Sequence, residues 1–408
     1  MTWDTFPLAD LGTWYGGATP SKTRGDFWVG GTVPWLSPKD MGYDVVQRTQ
    51  NSITDLAVES SSVKLVPAGS VAVVVRSGIL ERTLPVGLVP FATTLNQDMK
   101  ALHPREGIDP RWVAWGLRTF EHDLLRQTRK DGTTVASIEW PRFQQFELPV
   151  PPLDKQRRII ELLEDHLSRL DAARESVNTS IRRSSAMVTS SLSAIVAAES
   201  AVSPVSTVGA EAERVEYGSS ARCHASPRDG DIPVLRMGNL KNGKIDPQEL
   251  KFLPRDHPEF PKLLLARGDL LFNRTNSAEL VGKSAVFDSA TVTSFASYLI
   301  RVRFSATVDP RWANIVINSP QGRAHIASVA TQQVGQANVN GTKLKAFPLP
   351  LPSLTRQRKL VAVHERIADD AGRLSTVAEG SLSRSAVLRR SLLAAAFSGH
   401  LLAETAPA

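Results

Sequence analysis

The chain has 408 residues, enough for two or three domains with cores of their own, and 42% apolar with 22% charged residues excludes a disordered tail. A net charge of +7 and a pI near 9.6 favour an anionic partner such as nucleic acid. Cys223 is the only cysteine, which excludes disulfides and cysteine-based zinc sites within the chain and fits a reducing cytosol. With no basic-then-apolar leader and no run approaching about 18 apolar residues, the expectation is a cytoplasmic protein with no membrane segment.

In chain order, residues 1–147 read as an α+β globule. "VPWL" at 33–36 and "SVAVVV" at 70–75 are short buried strands, punctuated by turns at Gly16-Gly17, Gly30-Gly31 and Asp131-Gly132. A helical patch, "PRWVAWGLRTFEHDLLRQ", follows at 110–127. Between Pro152 and Pro204 the chain has neither proline nor glycine, which predicts one long helix within the spacer 148–203, starting after the extended "PVPP" with Asp154 as its N-cap. Ile160, Leu163, Leu167, Leu170, Arg174, Val177, Ile181, Ser184, Val188, Ser191 and Ile195 step by three and four, and eight of the eleven are apolar. That stripe is narrow, as in a coiled-coil seam.

Residues 204–347 form a second globule, with strands in "IPVLRM" at 232–237 and "DLLFNRT" at 269–275 and a helical patch at 310–330 that Pro320 must interrupt. A second long helix follows in 348–408. Thr355 is placed as its cap, Leu360, Val363, Ile367, Leu374, Val377 and Leu388 form its seam, and Gly372 and Gly380 weaken it. The two seams predict helices packed on one another.

The chain also repeats itself about 200 residues apart. "IDPRW" at 108–112 returns as "VDPRW" at 308–312, "LPVPPLDKQR" at 148–157 as "LPLPSLTRQR" at 349–358, and "SAMVTSSLSAIVAA" at 185–198 as "SAVLRRSLLAAAFS" at 385–398. The period is too long for a solenoid and means a duplicated domain with a duplicated connector. Such a chain can present two related surfaces about a pseudo-twofold axis, which suits a partner with its own approximate twofold, such as duplex DNA.

Enzyme motifs do not survive inspection. Gly238-x4-Gly243-Lys244 is followed by Ile245, so no hydroxyl is offered to Mg²⁺, and Pro247 blocks the helix a phosphate loop needs. "SAELVGKS" at 277–284 begins with Ser277 where glycine belongs, and both segments read as turns. The eight histidines form no HExxH, and no adenine-methylase tetrapeptide is present.

"GGATPSKTRGDFWVGGTVPWLSPKDM" at 16–41, "LRMGNL" at 235–240, "GDLLFNRTNSAELVGKSAV" at 268–286, "QANVNGTKLKAFPLPLPSLTRQRKLV" at 336–361 and "LRRSLLAAAFSGHLL" at 388–402 resemble the specificity subunits of type I restriction-modification enzymes. The resemblance covers nearly the whole chain. It departs in the first copy, where Ser137 stands in a loop that usually carries Asn, and Trp140 is unusual.

The resemblance implies two α/β target-recognition domains, 1–147 and 204–347, related by a pseudo-twofold and separated by two long antiparallel coiled-coil helices in spacers 148–203 and 348–408. Each domain would read one half of a bipartite double-stranded DNA site. Two modification subunits would bind S-adenosylmethionine and methylate adenine N6, and restriction subunits would use ATP and Mg²⁺. This chain would hold no cofactor, no metal and no catalytic residue.

Reading sequence requires donors and acceptors aimed at base edges. The loops after the two central strands carry Arg76-Ser77 and Arg274-Thr275-Asn276, and the earlier loops carry Lys39, Arg236, Asn239 and Lys241. Arg129, Lys130, Thr133, Gln336 and Asn338 lie just before the long helices. Arg157 and Arg358 oppose the helix dipole at the helix starts, so each calls for a carboxylate or a DNA phosphate. The competing readings are a subunit of an orphan methyltransferase, a self-contained nuclease, and an interaction protein whose paired helices dimerise.

Overall fold

A computed structural model describes residues 3–42, 44–130, 135–333 and 335–403. The chain divides into two compact units, the first of residues 1–176 with 381–408 and the second of residues 177–380. Each unit therefore takes one globule and part of each long helix.

In the first unit an antiparallel sheet runs in the order Gly12–Gly16, Met99–Pro104, Ser70–Val74, Val86–Val89. A second, three-stranded sheet runs Asn51–Ile53, Val33–Leu36, Thr94–Leu95. The central strand "SVAVV" is buried on both faces, which is why it reads as an unbroken apolar run. The second unit repeats the plan. Its four-stranded order is Ala212–Tyr217, Leu299–Phe304, Leu270–Asn273, Ser284–Val286, and its three-stranded order is Lys251–Leu253, Ile232–Leu235, Ser294–Phe295.

The helical patches break in two, into Pro110–Thr119 and Glu121–Thr128, and into Pro310–Asn318 and Pro320–Val329. Pro320 does interrupt the second patch, with Ser319 capping the new helix. "DPRW" is a helix start in both copies. Asp109 and Asp309 accept the amides of Arg111 and Arg311 at 2.9 Å, and proline occupies the first helical position. Trp112 and Trp312 are fully buried, and each indole donates to a proline carbonyl, Pro149 or Pro350, at 2.8 Å. Those prolines belong to the strands Glu147–Pro149 and Pro348–Pro350, which pair with Thr5–Pro7 and Val205–Thr207 and close each globule just before its long helix.

The long helices span Leu153–Val202 and Leu354–Ser398. Asp154 and Thr355 thus lie inside the first turn and are not the caps; before the second helix Ser353 Oγ accepts the Arg356 amide at 3.4 Å. The helices run antiparallel within each unit. Arg389 meets Asp171 at 3.0 Å in the first, and Arg356 meets Glu199 at 2.7 Å in the second.

The predicted seams need correction. Ile160, Leu163 and Leu167 are buried in one cluster with Ala396 and Phe397 of the second long helix, as predicted, but that cluster is also the core of the first globule around Trp112; Leu170, Val177 and Ile181 are half-buried. On the second helix Leu360 is buried and Ile367 half-buried, whereas Val363, Leu374, Val377 and Leu388 are 45%, 59%, 65% and 50% exposed. The buried apolar residues there are Leu360, Val361, Ala371, Ala396 and Phe397. Burial near the helix ends follows the globule cores, which a search for heptads does not see.

One composition-based expectation also changes. An 18-residue window of the first long helix reaches a mean hydropathy of 1.3, so by length and composition this helix is apolar enough to cross a membrane. The run after Arg183 carries Glu199 as its only charge, and serine lowers hydropathy little. Leu192, Ile195 and Val196 of this run pack on the second globule's core.

Candidate nucleic-acid interface

The strand Leu270–Asn273 continues through Arg274 into Thr275–Asn276, which pairs with Gln336–Asn338, itself paired with Thr331–Gln333. The second unit therefore gathers Thr275, Asn276, Gln336 and Asn338 on one small polar sheet. Asn338 Nδ2 donates to Thr275 Oγ1 at 2.7 Å. Arg274 lies 4.8 Å over the Tyr217 ring, whose hydroxyl accepts the Gly341 amide at 2.7 Å.

The first unit has the same ladder. Arg76 bridges to Ser137, and Ser137–Ile138 pairs with Arg129–Lys130. Here the charges are answered. Arg76 Nε lies 2.6 Å from Asp98, Lys130 lies 3.5 Å from Glu139, and Arg129 donates to the Glu81 carbonyl at 3.4 Å. Ser77 caps a short turn through the Ile79 amide at 3.4 Å. Thr133 lies outside the described residues.

Ladder register fixes which residues correspond. Ile138 donates to the Val75 carbonyl and Val339 to the Arg274 carbonyl, and Ser137 and Asn338 face Arg76 and Thr275. Arg76 therefore matches Thr275, and Ser77 matches Asn276.

Among the earlier loops, Lys39 is exposed on the turn Pro38–Asp40. Asn239 is turned into its own loop. It is 4% exposed, accepts the Arg236 amide at 2.9 Å, and donates to the carbonyls of Asp246 and Gln248 at 2.9 and 2.7 Å. Its amide is spent closing the loop, as Asp40 closes the matching one through Ser37 and Gln50 amides at 2.8 Å. Lys241 pairs with Asp246 at 2.7 Å, and that hydrogen bond raises the lysine pKa and lowers the aspartate's. The Asn242-Gly243 turn, with φ of 50° and 76°, joins Leu240–Lys241 to Lys244–Ile245, so the near phosphate loop is a hairpin. Arg157 has its carboxylate, Asp109, at 3.9 Å, and Arg358 acts electrostatically on Asp309.

Beside the polar sheet of the second unit lies a groove of about 640 Å³, lined among others by Arg236, Lys241, Asn273, Asn276, Lys283 and Tyr298. Asn273, Lys283 and Tyr298 escaped the sequence reading. The available signal was polarity inside the strand "DLLFN", where the first copy carries valine.

Residues 1–181 match the sequence profile of the type I restriction modification DNA specificity domain. The type I restriction enzyme EcoR124I/EcoR124II specificity subunit of Escherichia coli is 45% identical over 164 residues, which cover 40% of this chain and 40% of that one. The chain thus aligns with less than half the length of that relative. The EcoKI specificity subunit of Escherichia coli strain K12 is 23% identical over 328 residues, covering 78% of this chain and 71% of its own. The fold is that of the HsdS subunit from Thermoanaerobacter tengcongensis, with TM-score 0.60 at 16% identity over 98% of this chain and 97% of that one. A chain from a solved type I R-M assembly shares it at TM-score 0.75 and 15% identity, over 98% of both. Residues 1–181 thus match the type I restriction modification DNA specificity domain, and two like-built globules, each locked to a long helix, give the chain as a whole the fold of an HsdS subunit.

Proposed function

We propose that this chain reads a bipartite site on double-stranded DNA and carries no chemistry of its own. The observation that supports it is the recurrence of one polar ladder at matching positions of the two globules, Arg76 to Ser137 in one and Thr275 to Asn338 in the other. Polar side chains on short strands, exposed at Arg76 and half-buried at Ser137, Thr275 and Asn338, suit base edges and phosphates. In this reading residues 1–147 and 204–347 are the recognition domains, and 148–203 and 348–408 are spacers that set the distance between half-sites. Arg76, Ser77, Arg129, Lys130, Thr133, Lys39, Arg236, Lys241, Arg274, Thr275, Asn276, Gln336 and Asn338 are the contact candidates. The partners are two modification subunits, which use S-adenosylmethionine, and restriction subunits, which use ATP and Mg²⁺.

The test is to express the chain with its methyltransferase partner and sequence the methylated sites. A two-part motif that vanishes when this chain is omitted supports the reading. Methyl transfer or cleavage by the purified chain alone overturns it.

A further inference from the structure

The two globules share a backbone plan but differ at the groove. Strand register matches Asn273 with Val74, because Asn273 faces Leu299 as Val74 faces Met99. The amides of Arg274 and Val75 bond the carbonyls of Tyr298 and Asp98, so Arg274 matches Val75 and Tyr298 matches Asp98. The amides of Asn273 and Val74 bond the carbonyls of Lys283 and Pro85, which matches those two. Parallel pairing of Leu235 with Phe295 and of Leu36 with Leu95 places Arg236 opposite Ser37. Thus Arg236, Asn273, Arg274, Lys283 and Tyr298 in one globule stand where Ser37, Val74, Val75, Pro85 and Asp98 stand in the other.

The difference is chemical. In the groove lining two cations and an amide replace serine, proline and a valine, and a tyrosine replaces the aspartate that holds Arg76; Arg274, in place of Val75, lies over Tyr217 outside that lining. Val74 is fully buried in an apolar cluster. Asn273 is 1% exposed, lines the groove, and its Oδ1 is a buried acceptor with no donor among the described residues. Arg236 and Arg274 also have buried Nε groups without an acceptor there. Buried polar atoms of this kind are uncommon unless something else satisfies them. Tyr298 is 49% and Met237 38% exposed at the rim, so the groove offers cations, amides and flat apolar surface together. That combination is what a nucleotide presents a need for: charge for phosphate, amides for base edges, and a ring or thioether against a base or sugar.

We infer that this groove is a DNA-holding site whose polar lining is not repeated at the matching described residues of the first globule, so the two half-sites are gripped unequally. Arg236 and Lys283 take phosphates. Asn276 reads a base edge through its Nδ2, since its Oδ1 already accepts the Ser277 amide at 2.9 Å. Among the described residues of the first globule, the matching positions offer no such clamp, because Asp98 neutralises Arg76 and the matching floor is valine. The inference rests on the DNA-reading assignment and deepens it.

The assembled complex with its modification partner is titrated with DNA carrying the methylome-determined site at several salt concentrations. Arg236→Ala with Lys283→Ala should reduce the slope of log K against log salt by about 1.8, at roughly 0.9 per phosphate contact. Asn276→Ala should lower discrimination in one half-site by roughly 5- to 150-fold and leave the other unchanged. Thermal melts of each variant should match the parent, which separates lost contacts from misfolding. An unchanged salt slope, or relaxation in both half-sites, in a complex whose parent still reads its site overturns the groove assignment alone. A parent complex that shows no site preference overturns the DNA-reading assignment with it.

Discussion

Gln357 holds Asp309 by its backbone: the buried carboxamide oxygen accepts the Asp309 amide at 2.8 Å, while Nε2 donates to the carbonyls of Thr307 and Pro352 at 3.0 and 2.9 Å. Gln156 does the same to Asp109 at 2.9 Å, with Gly107 and Pro151. Each glutamine sits in the first turns of a long helix and ties it to the loop before the buried-tryptophan helix of its own globule. This is the physical content of the duplicated "LP-x-P" and "DPRW" marks. The glutamine of "KQR" and "RQR" is a latch, and removing it leaves one donor and two acceptors buried.

Gln156→Ala or Gln357→Ala should therefore destabilise its unit by about 1–3 kcal/mol, since orphaned buried groups keep their desolvation cost. Urea denaturation followed by tryptophan fluorescence measures it. Arg157→Ala, on the same turn but exposed and 3.9 Å from Asp109, should cost no more than about 0.5 kcal/mol.

Gly372→Ala should stabilise the protein by up to about 1 kcal/mol. A Cβ there meets nothing within 4 Å, and the residue lies inside the helix Leu354–Ser398. A lower melting temperature for this variant would show that the glycine serves a bend or a contact.

Stability should fall as pH drops through the histidine range because of His364. Burial, and then the nearby Lys244, lower its pKa below the usual value of 6.5. Its Nδ1 is buried without a partner among the described residues, and Lys244 is 3.3 Å from Asp369. The unfolded chain then binds the extra proton first, so this contribution is full above about pH 6.5 and is lost as pH falls through the lower folded value. His364→Gln should flatten the dependence of unfolding free energy on pH in that window.

Exchanging residues 204–347 for the matching segment of a relative should change one half-site of the methylated motif. Each globule has its own sheets, helices and latch, so its surface does not depend on the other's core. Loss of both half-sites in a folded chimera would count against modular reading.

Adding one heptad to each long helix should lengthen the unread spacer. Seven residues add about 10 Å, which is roughly three base pairs of duplex at 3.4 Å each. Three pairs also turn the duplex by about 100°, so activity should drop as the DNA untwists to follow. The methylated sites of the variant give the answer, and an active variant with the original spacer would remove the helices as the ruler.

The sequence alone determined the duplication, the strands read at 33–36 and 70–75, the break at Pro320 and both long helices. The strands, the break and the first long helix follow from local rules: apolar runs, a missing backbone donor, and fifty residues without proline or glycine. It left the second seam out of phase, since Val363, Leu374, Val377 and Leu388 satisfy a heptad but face solvent. Only the tertiary structure decided that Asn239 is consumed in its own loop while Asn273, from a strand, opens onto a groove. Asparagine reads alike in both places along the chain. What separates them is which carbonyls the fold brings within 3 Å, and that is fixed by strand register, not by spacing.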